Sequence, residues 1–530
     1  VGAARSLMAE PEFRETSVLR SVPQAEASGH EGEPLPRADV CETHTAILFF
    51  VGDRVYKVKK QVDLGFLDYT TASARQAACE REVTLNRRFA PDVYLGVGEF
   101  HSPDTQAPEP LVVMRRMPAG RRLSRLVRAG VAVDDVLRAV ARNLAAWHAD
   151  APRGRDVAEQ GTRDALSARW EAGFQQVHAL AADGFVLDGV TEVERLVRRY
   201  LAGRKPLFDA RIEQGRVVDG HGDLLADDIF CLDDGPRVLD CLEFDDHLRY
   251  VDGLDDAAFL AMDLERLGAP EAAAYFLAQY GEYSGDPAPP SLWHHYIAYR
   301  AFVRAKVSLV QARQGAPGAE AVARRLASAA LRQLRASAVC LTLVGGLPGS
   351  GKSTLSGALA DRLGVTLLSS DRLRKELAGI PAEQSAAAGY CEGLYTPEWT
   401  ARIYGALLDR AAALLSCGES VVLDATWSDA GQRAAALRVA ERTSADLVAL
   451  HCRVPGDVSA ARLTTRAAGA SDAGPEIAAA MAATEPPWPD AVAVDTGGSL
   501  ESAVAQALAA VRPWGAGQAP VLRRPYMEPD

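Results

Sequence analysis

The second half of the chain alternates between short apolar runs and stretches of helical patterning. Apolar runs stand at 339–344, 365–368, 421–423, 446–452 and 491–495. Strands spaced by helices in this way predict a parallel sheet with helices on both faces. The first half reads differently. Ala46-Ile47-Leu48-Phe49-Phe50-Val51, then Gly52-Asp53, then Arg54-Val55-Tyr56-Lys57-Val58-Lys59 predicts a hairpin, with turn residues between two β-rich runs. A helix is predicted over 72–89 and a strand over 111–114. Val133, Val136, Leu137, Val140, Leu144 and Trp147 then recur at helical spacing and form one buried face. Further helices are predicted over 160–205 and 255–335. Between them, 217–243 reads as short strands and loops dense in carboxylates.

Residues 1–40, rich in Glu, Pro, Ser and Gly, read as a flexible arm. The expected domains are 41–335 and 336–512, with a loose tail over 513–530. A chain of 530 residues is too long for one ordinary core, which agrees with two domains. Hydrophobic content of 48% and charged content of 24% are those of a globular protein. No apolar stretch is long enough to span a bilayer, and the first forty residues lack the apolar centre of a signal peptide. Cytoplasmic residence is therefore expected. Net charge of −12 argues against a broad nucleic-acid surface. The eight cysteines show no metal-ligand spacing, and His294-His295 is assigned a structural role, because adjacent helical residues point apart.

Gly346-Leu347-Pro348-Gly349-Ser350-Gly351-Lys352-Ser353 matches G-x-x-x-x-G-K-[ST], between an apolar run and a helical run that opens at Thr354. Glycines let backbone amides approach phosphates, and a helix N-terminus favours their charge. Lys352 is expected on the β- and γ-phosphates and Ser353 on Mg²⁺. Val421-Val422-Leu423-Asp424 is an apolar strand ending in an acid, which suits Asp424 to the same ion. Asp371 stands at the end of another strand, where it suits acceptance of a proton from a hydroxyl; N-capping of the next helix is its other reading. Arg372 and Arg374 suit an acceptor anion. Arg462 and Arg466, four apart on one helical face, suit a transferring phosphoryl group or else a solvated face; Arg433 is a weaker candidate.

Roughly residues 338–512 resemble the small P-loop kinases grouped with polynucleotide kinase, zeta toxin and gluconate kinase. The resemblance rests on Gly346 to Ser353, Ser369-Ser370-Asp371-Arg372-Leu373-Arg374 and Val422-Leu423-Asp424-Ala425-Thr426. It implies that Asp371 contacts the acceptor hydroxyl and that Arg462 and Arg466 belong to a lid.

A second acidic centre precedes this one. His221-Gly222-Asp223-Leu224, Asp228 and Val238-Leu239-Asp240 supply the carboxylates that phosphoryl transfer needs, one for the hydroxyl and others for metal. Lys57 suits the α- and β-phosphates, paired with Glu82 or its competitor Glu80. Met114 to Met117 suits a connector whose backbone meets adenine. With Leu144 to Ala149 and Asp252 to Ala257, these segments resemble the aminoglycoside phosphotransferase family, whose fold is that of protein kinases. The resemblance covers about 41–335. It implies an α+β domain with Asp223 as catalytic base and Asp240 as metal ligand. Position 228 departs from it, since the family carries Asn there; an aspartate oxygen still suits a hard cation. No glycine-rich loop covers the phosphates.

The tandem order resembles a bacterial class of two-domain proteins. It implies a phosphotransferase using ATP and Mg²⁺ on a small-molecule hydroxyl, such as an aminoglycoside, another sugar or an amino alcohol. Two alternatives stand beside it. In one, the N-terminal half is a ligand sensor gating the P-loop domain. In the other, the P-loop domain is a nucleic-acid 5′-hydroxyl kinase. The acceptor, the coupling of the centres and the oligomeric state are not readable from sequence.

Overall fold

A computed structural model describes residues 20–21, 38–43, 45–63, 67–101, 108–381, 393–465 and 474–511. Most of the N-terminal arm, the tail after 512 and Arg466 lie outside the described residues. The chain forms two compact units. One comprises Val1–Val190, Arg211–Pro287 and Tyr296–Ala330; the other comprises Thr191–Ala210, Ala288–His295 and Leu331–Asp530. Among the described residues no helix is long and apolar enough to cross a membrane.

The first unit opens on an antiparallel sheet with strand order Arg20–Ser21, Asp39–Glu42, Ala46–Val51, Arg54–Lys59, Glu109–Arg115 and Tyr94–Phe100. The expected hairpin is present, with Val51 opposite Arg54 and Gly52 at φ +57° in the turn. Alternation along a strand puts Val55, Lys57 and Lys59 on one face. Val55 joins a core with Cys79, Val83, Tyr94, Val112, Phe230 and Leu239. Both lysines are thus drawn to the covered side.

The helix predicted over 72–89 runs Ala72–Asn86, N-capped by the Thr71 hydroxyl. Strand Tyr94–Phe100 was not foreseen. Gly96 and Gly98 dilute its β pattern, and the ladder shifts register between Tyr94 and Gly96. A Cβ at Gly98 would lie 3.2 Å from Val113, a tight fit on that strand. The remainder is helical, with Trp170 stacked on Phe174 and Phe302 packed against both rings. Two short antiparallel pairs interrupt it: Val217–Asp219 with Tyr250–Asp252, and Ile229–Leu232 with Gly235–Val238. This arrangement is an α+β fold, an antiparallel sheet followed by a largely helical part.

The second unit carries a parallel sheet in the order Thr366–Ser369, Val421–Asp424, Cys340–Gly345, Asp446–Arg453 and Val492–Asp495. Each apolar run expected as a strand contributes one. Helices Lys352–Leu363 and Leu500–Val511 cover one face through Val344, Leu355, Leu359, Leu450 and Val494. The register sets Asp424 level with Val344 and Ser369, so three strands end together. This is the α/β fold of a P-loop NTPase. Residues 191–210 join this unit through Arg204, which donates to the Thr443 carbonyl at 2.6 Å. Gly203 leaves room for that carbonyl, as a Cβ would meet it at 2.0 Å. His294 bonds Gln333 and His295 stacks on Tyr200, the structural roles expected of them.

In the first unit the buried Arg211 holds Asp252 through Nε at 2.7 Å and Asp286 through Nη2 at 2.7 Å. Arg211→Met would leave two buried carboxylates facing each other. The expected loss is about 3–5 kcal/mol of unfolding free energy, measured by urea denaturation. A loss below about 1 kcal/mol would show that water reaches the pair.

Candidate active site

In the first unit a cleft lies between the sheet and the helical part. Lys57, Met114, Met117, Asp223, Asp228 and Asp240 all line it, together with Thr43 and Thr45. Lys57 Nζ lies 2.8 Å from Glu82 Oε1 and 3.0 Å from Asp240 Oδ1. Glu82 is therefore the partner of Lys57. Glu80 bonds Gln76 on the exposed side of the helix. Burial opposes ionisation of Glu82, but Lys57 and Lys59 outweigh it and hold its carboxyl down to about 2. Burial likewise opposes the charge of Lys57, and Asp240 and Glu82 reverse the effect and raise its pKa. Thr43 closes a tight turn, its hydroxyl donating to the Ala46 carbonyl at 3.0 Å.

The loop carrying Asp223 is held by one buried carboxylate. Asp256 accepts the backbone N–H of His221 at 2.7 Å and of Gly222 at 2.9 Å, and Nε2 of His148 at 3.1 Å. Gly220 must lack a side chain, because a Cβ would fall 2.6 Å from Asp256 Oδ2. Burial pushes the His221 pKa down, so the ring is neutral. Its Nε2–H donates to the Leu239 carbonyl at 3.1 Å, which leaves Nδ1 to accept from the Asp223 N–H at 3.3 Å. One ring thus links the loop of Asp223 to the strand end before Asp240. On the same helix, Gly253–Arg266, Asp263 accepts the Ala226 N–H at 3.0 Å and steadies the turn of Asp228.

Asp228 is buried, and both that burial and the charge of Asp240 raise its pKa well above the usual carboxylate range. Two acids that repel across a cleft are a donor set suited to a hard cation. Among the described residues no group of three or more His, Cys, Asp or Glu side chains could hold a metal by itself. Mg²⁺ usually takes one or two carboxylates and completes its shell with phosphate and water, so two acids suffice.

In the second unit the expected phosphate loop joins strand Cys340–Gly345 to helix Lys352–Leu363. Gly346, Gly349 and Gly351 all have positive φ. A Cβ at Gly346 would meet Ser350 Oγ at 2.7 Å, and one at Gly349 would meet the Ser459 carbonyl at 2.7 Å. Lys352 is buried at the helix start, while Ser353 and Thr354 are exposed in its first turn. Asp424 is buried, and the neighbouring Ser353 and Ser369 hydroxyls favour its charged form. Among the described residues its Oδ1 has no hydrogen-bond partner. Burial raises its pKa against the lowering effect of Lys352. A buried carboxylate oxygen beside Ser353 fits the second ligand of a bound Mg²⁺.

Arg462 comes to the phosphate loop: its Nη2 donates to the Thr496 carbonyl at 2.8 Å, and a Cβ added at Gly351 would stand 3.3 Å from its Nη1. Asp371 falls in the first turn of helix Ser370–Leu377, whose N-cap is Ser369. It faces Asp424 and Tyr404 closely enough to act on both electrostatically. Arg374 is buried on the Leu394 carbonyl at 2.6 Å and the Tyr395 ring, which commits it to the fold. Arg433 is held by the Trp427 and Pro487 carbonyls. Sequence reading missed Ser459 and Thr496. Ser459 Oγ donates to the Pro348 carbonyl at 3.0 Å, and Thr496 Oγ1 to the Ser350 carbonyl at 2.6 Å. No motif marks either residue. It also missed Lys59, Glu243 and Asp263; of these only the i, i+2 spacing of the lysines carried a signal.

Fold and sites together define a two-domain protein, one unit a P-loop NTPase and the other an α+β unit with a lysine and carboxylates lining its cleft. Residues 341–487 match the family model AAA_33, described as an AAA domain. The chain is 44% identical over 472 residues to Uncharacterized protein Rv2004c of Mycobacterium tuberculosis, spanning 89% of this chain and 95% of that protein. It matches Uncharacterized protein Mb2027c of Mycobacterium bovis to the same extent. The chain belongs to the family of these mycobacterial proteins. Among solved structures, a gluconokinase from Sinorhizobium meliloti 1021 aligns with 33% of this chain and 92% of its own, at 22% identity and a TM-score of 0.25. Choline kinase from Cryptosporidium parvum Iowa II aligns with 56% of this chain and 89% of its own, at 10% identity and a TM-score of 0.38.

Burial would raise the pKa of Asp256, but the His148 and backbone hydrogen bonds win and hold it well below the usual range. A depressed folded pKa contributes stability above the unfolded value of about 3.9, lost as pH falls through the folded value. Asp256→Asn is expected to cost about 3 kcal/mol at pH 7. The gap to the wild type should narrow below about pH 4. Urea unfolding across this range checks it, and a gap independent of pH would exclude the ionised carboxylate as the cause.

Proposed function

We propose that this chain is an ATP-dependent, Mg²⁺-requiring phosphotransferase with two nucleotide centres, one in each unit. The observation that carries this reading is that each unit sets a phosphate-binding lysine against a metal-suited acid: Lys57 with Asp240, and Lys352 with Asp424. In the N-terminal centre Asp223 accepts the proton of an acceptor hydroxyl. The hydroxyl oxygen bonds to the γ-phosphorus as the bond to the bridging oxygen breaks and ADP leaves. Lys57 steadies the α- and β-phosphates. Asp228 and Asp240 would hold Mg²⁺, which when bound neutralises phosphate charge. The acceptor is a small molecule bearing a hydroxyl, an aminoglycoside, another sugar or an amino alcohol.

In the C-terminal centre the amides of Gly346 to Ser353 cradle the phosphates, and Lys352 and Arg462 stabilise charge on the transferred group. Thr354 extends these contacts into the helix, and Arg466 stands with Arg462 in this role. Ser353 and Asp424 would hold the cation. Asp371 takes the proton of this centre's own acceptor hydroxyl.

A second reading has its own support. Asp228 replaces the expected Asn and is buried, and the sequence offers no glycine-rich loop to this centre. Both features suit an N-terminal unit that binds ligand without turnover and gates the P-loop unit.

Phosphate transfer from ATP onto a panel of sugars, aminoglycosides and amino alcohols separates the two. Lys352→Ala and Asp223→Asn are each expected to leave part of the ATP turnover, and the double variant to lose at least about 100-fold. Unchanged acceptor phosphorylation in Asp223→Asn would reject the two-centre reading in favour of the sensor.

A further inference from the structure

We infer that Lys59 and Glu243 are positioning residues that pin the metal-bearing loop of the N-terminal centre, so that Lys57 and Asp240 can part without the loop moving. The inference rests on the reading of that centre given above. Lys57 and Lys59 stand two apart on strand Arg54–Lys59 and therefore share a face. Asp240 and Glu243 stand three apart on the loop after strand Gly235–Val238. The two pairs make two rungs: Lys57 to Asp240 at 3.0 Å, and Lys59 to Glu243 at 2.5 Å. Glu82 lies between the lysines, with Oε1 2.8 Å from Lys57 and Oε2 2.6 Å from Lys59. The Tyr69 hydroxyl donates to Glu243 at 3.3 Å.

The rungs differ in their access to water. In the first rung Asp240 is 45% exposed and Lys57 14%, whereas in the second Lys59 and Glu243 are 1% and 14% exposed. A pair open to water on its carboxylate side separates at less cost than an enclosed one, and nucleotide phosphate and cation offer both partners new company. Separating the enclosed rung strands charge in the interior, which is far costlier. The backbone adds to this hold. Asp240 sits at φ +63° with its N–H on the Tyr94 hydroxyl at 3.1 Å, and the Cys241 N–H donates to Asn86 Oδ1 at 2.8 Å. The loop is thus fixed at the backbone of 240 and 241 and at the side chain of 243, and what remains movable is the carboxylate of Asp240. Lys59 and Glu243 act through Asp240, without touching the nucleotide.

The test uses the full chain carrying Lys352→Ala, so that turnover reports on the N-terminal centre. Adding Glu243→Gln is expected to raise the Mg²⁺ concentration for half-maximal turnover about tenfold, with the rate recovered at saturating Mg²⁺. The charge-neutral pair Lys59→Met with Glu243→Gln should show the same shift and no larger one, because the two act as a unit. Mn²⁺ binding in the presence of a non-hydrolysable ATP analogue, followed by electron paramagnetic resonance, should weaken by the same factor. An unchanged Mg²⁺ requirement would overturn the inference. So would a loss of rate that saturating Mg²⁺ does not restore, since that describes a folding role alone. Absence of any turnover in Lys352→Ala itself would sink the two-centre reading, and the Mn²⁺ titration would still decide the role of Glu243.

Discussion

The N-terminal centre depends on one carboxylate that never meets solvent. Asp256 lies in the interior of the helical part and receives two consecutive backbone N–H groups and a histidine ring. Consecutive amides rarely point the same way, so the chain at His221 and Gly222 must bend sharply to offer both. Gly222 takes φ +86° to do so. Asp223 follows at once, and its place in the cleft is a consequence of that bend. An apolar residue at 256 would leave two buried donors unsatisfied, a cost that packing does not recover.

The second unit solves the same problem by other means. Its phosphate site comes from strands that end level with one another, a result of parallel register across Cys340–Gly345, Val421–Asp424 and Thr366–Ser369. Ser353 and Asp424 meet because a helix start and a strand end face one another across that edge. The loop itself is held by Ser459 and Thr496, whose hydroxyls donate to the Pro348 and Ser350 carbonyls. In one unit a buried acid draws amides toward itself. In the other, hydroxyls hold the loop by its carbonyls.

Electrostatics ties the two designs together. Both sites place acids where burial or a neighbouring acid raises their pKa, at Asp228 and at Asp424. Such groups gain from a cation more than exposed acids do, because the interior screens charge weakly. Lysines provide the counterweight. Where Lys57 and Lys59 share Glu82, the glutamate stays ionised despite full burial. The result is a charge ladder with one movable rung.

Much of this protein was legible in its residues. The alternation of apolar runs determined the parallel sheet, and the glycine spacing determined the phosphate loop, because both depend on local backbone geometry that nearby residues impose. Gly52-Asp53 likewise settled the hairpin, and the positions of Lys57, Glu82, Asp223 and Asp240 along the chain marked the second centre. The glycine-thinned strand Tyr94–Phe100 escaped, since its pairing is secured by a neighbouring strand and its own residues argue weakly for it. Tertiary structure alone decided the rest: that Glu82 and not Glu80 meets Lys57, that Arg374 packs on Tyr395, that Lys59 finds Glu243, and that Asp256 grips the loop of Asp223. Each of those choices joins residues far apart in sequence, and their energy comes from burial and charge at a meeting point that no single segment contains.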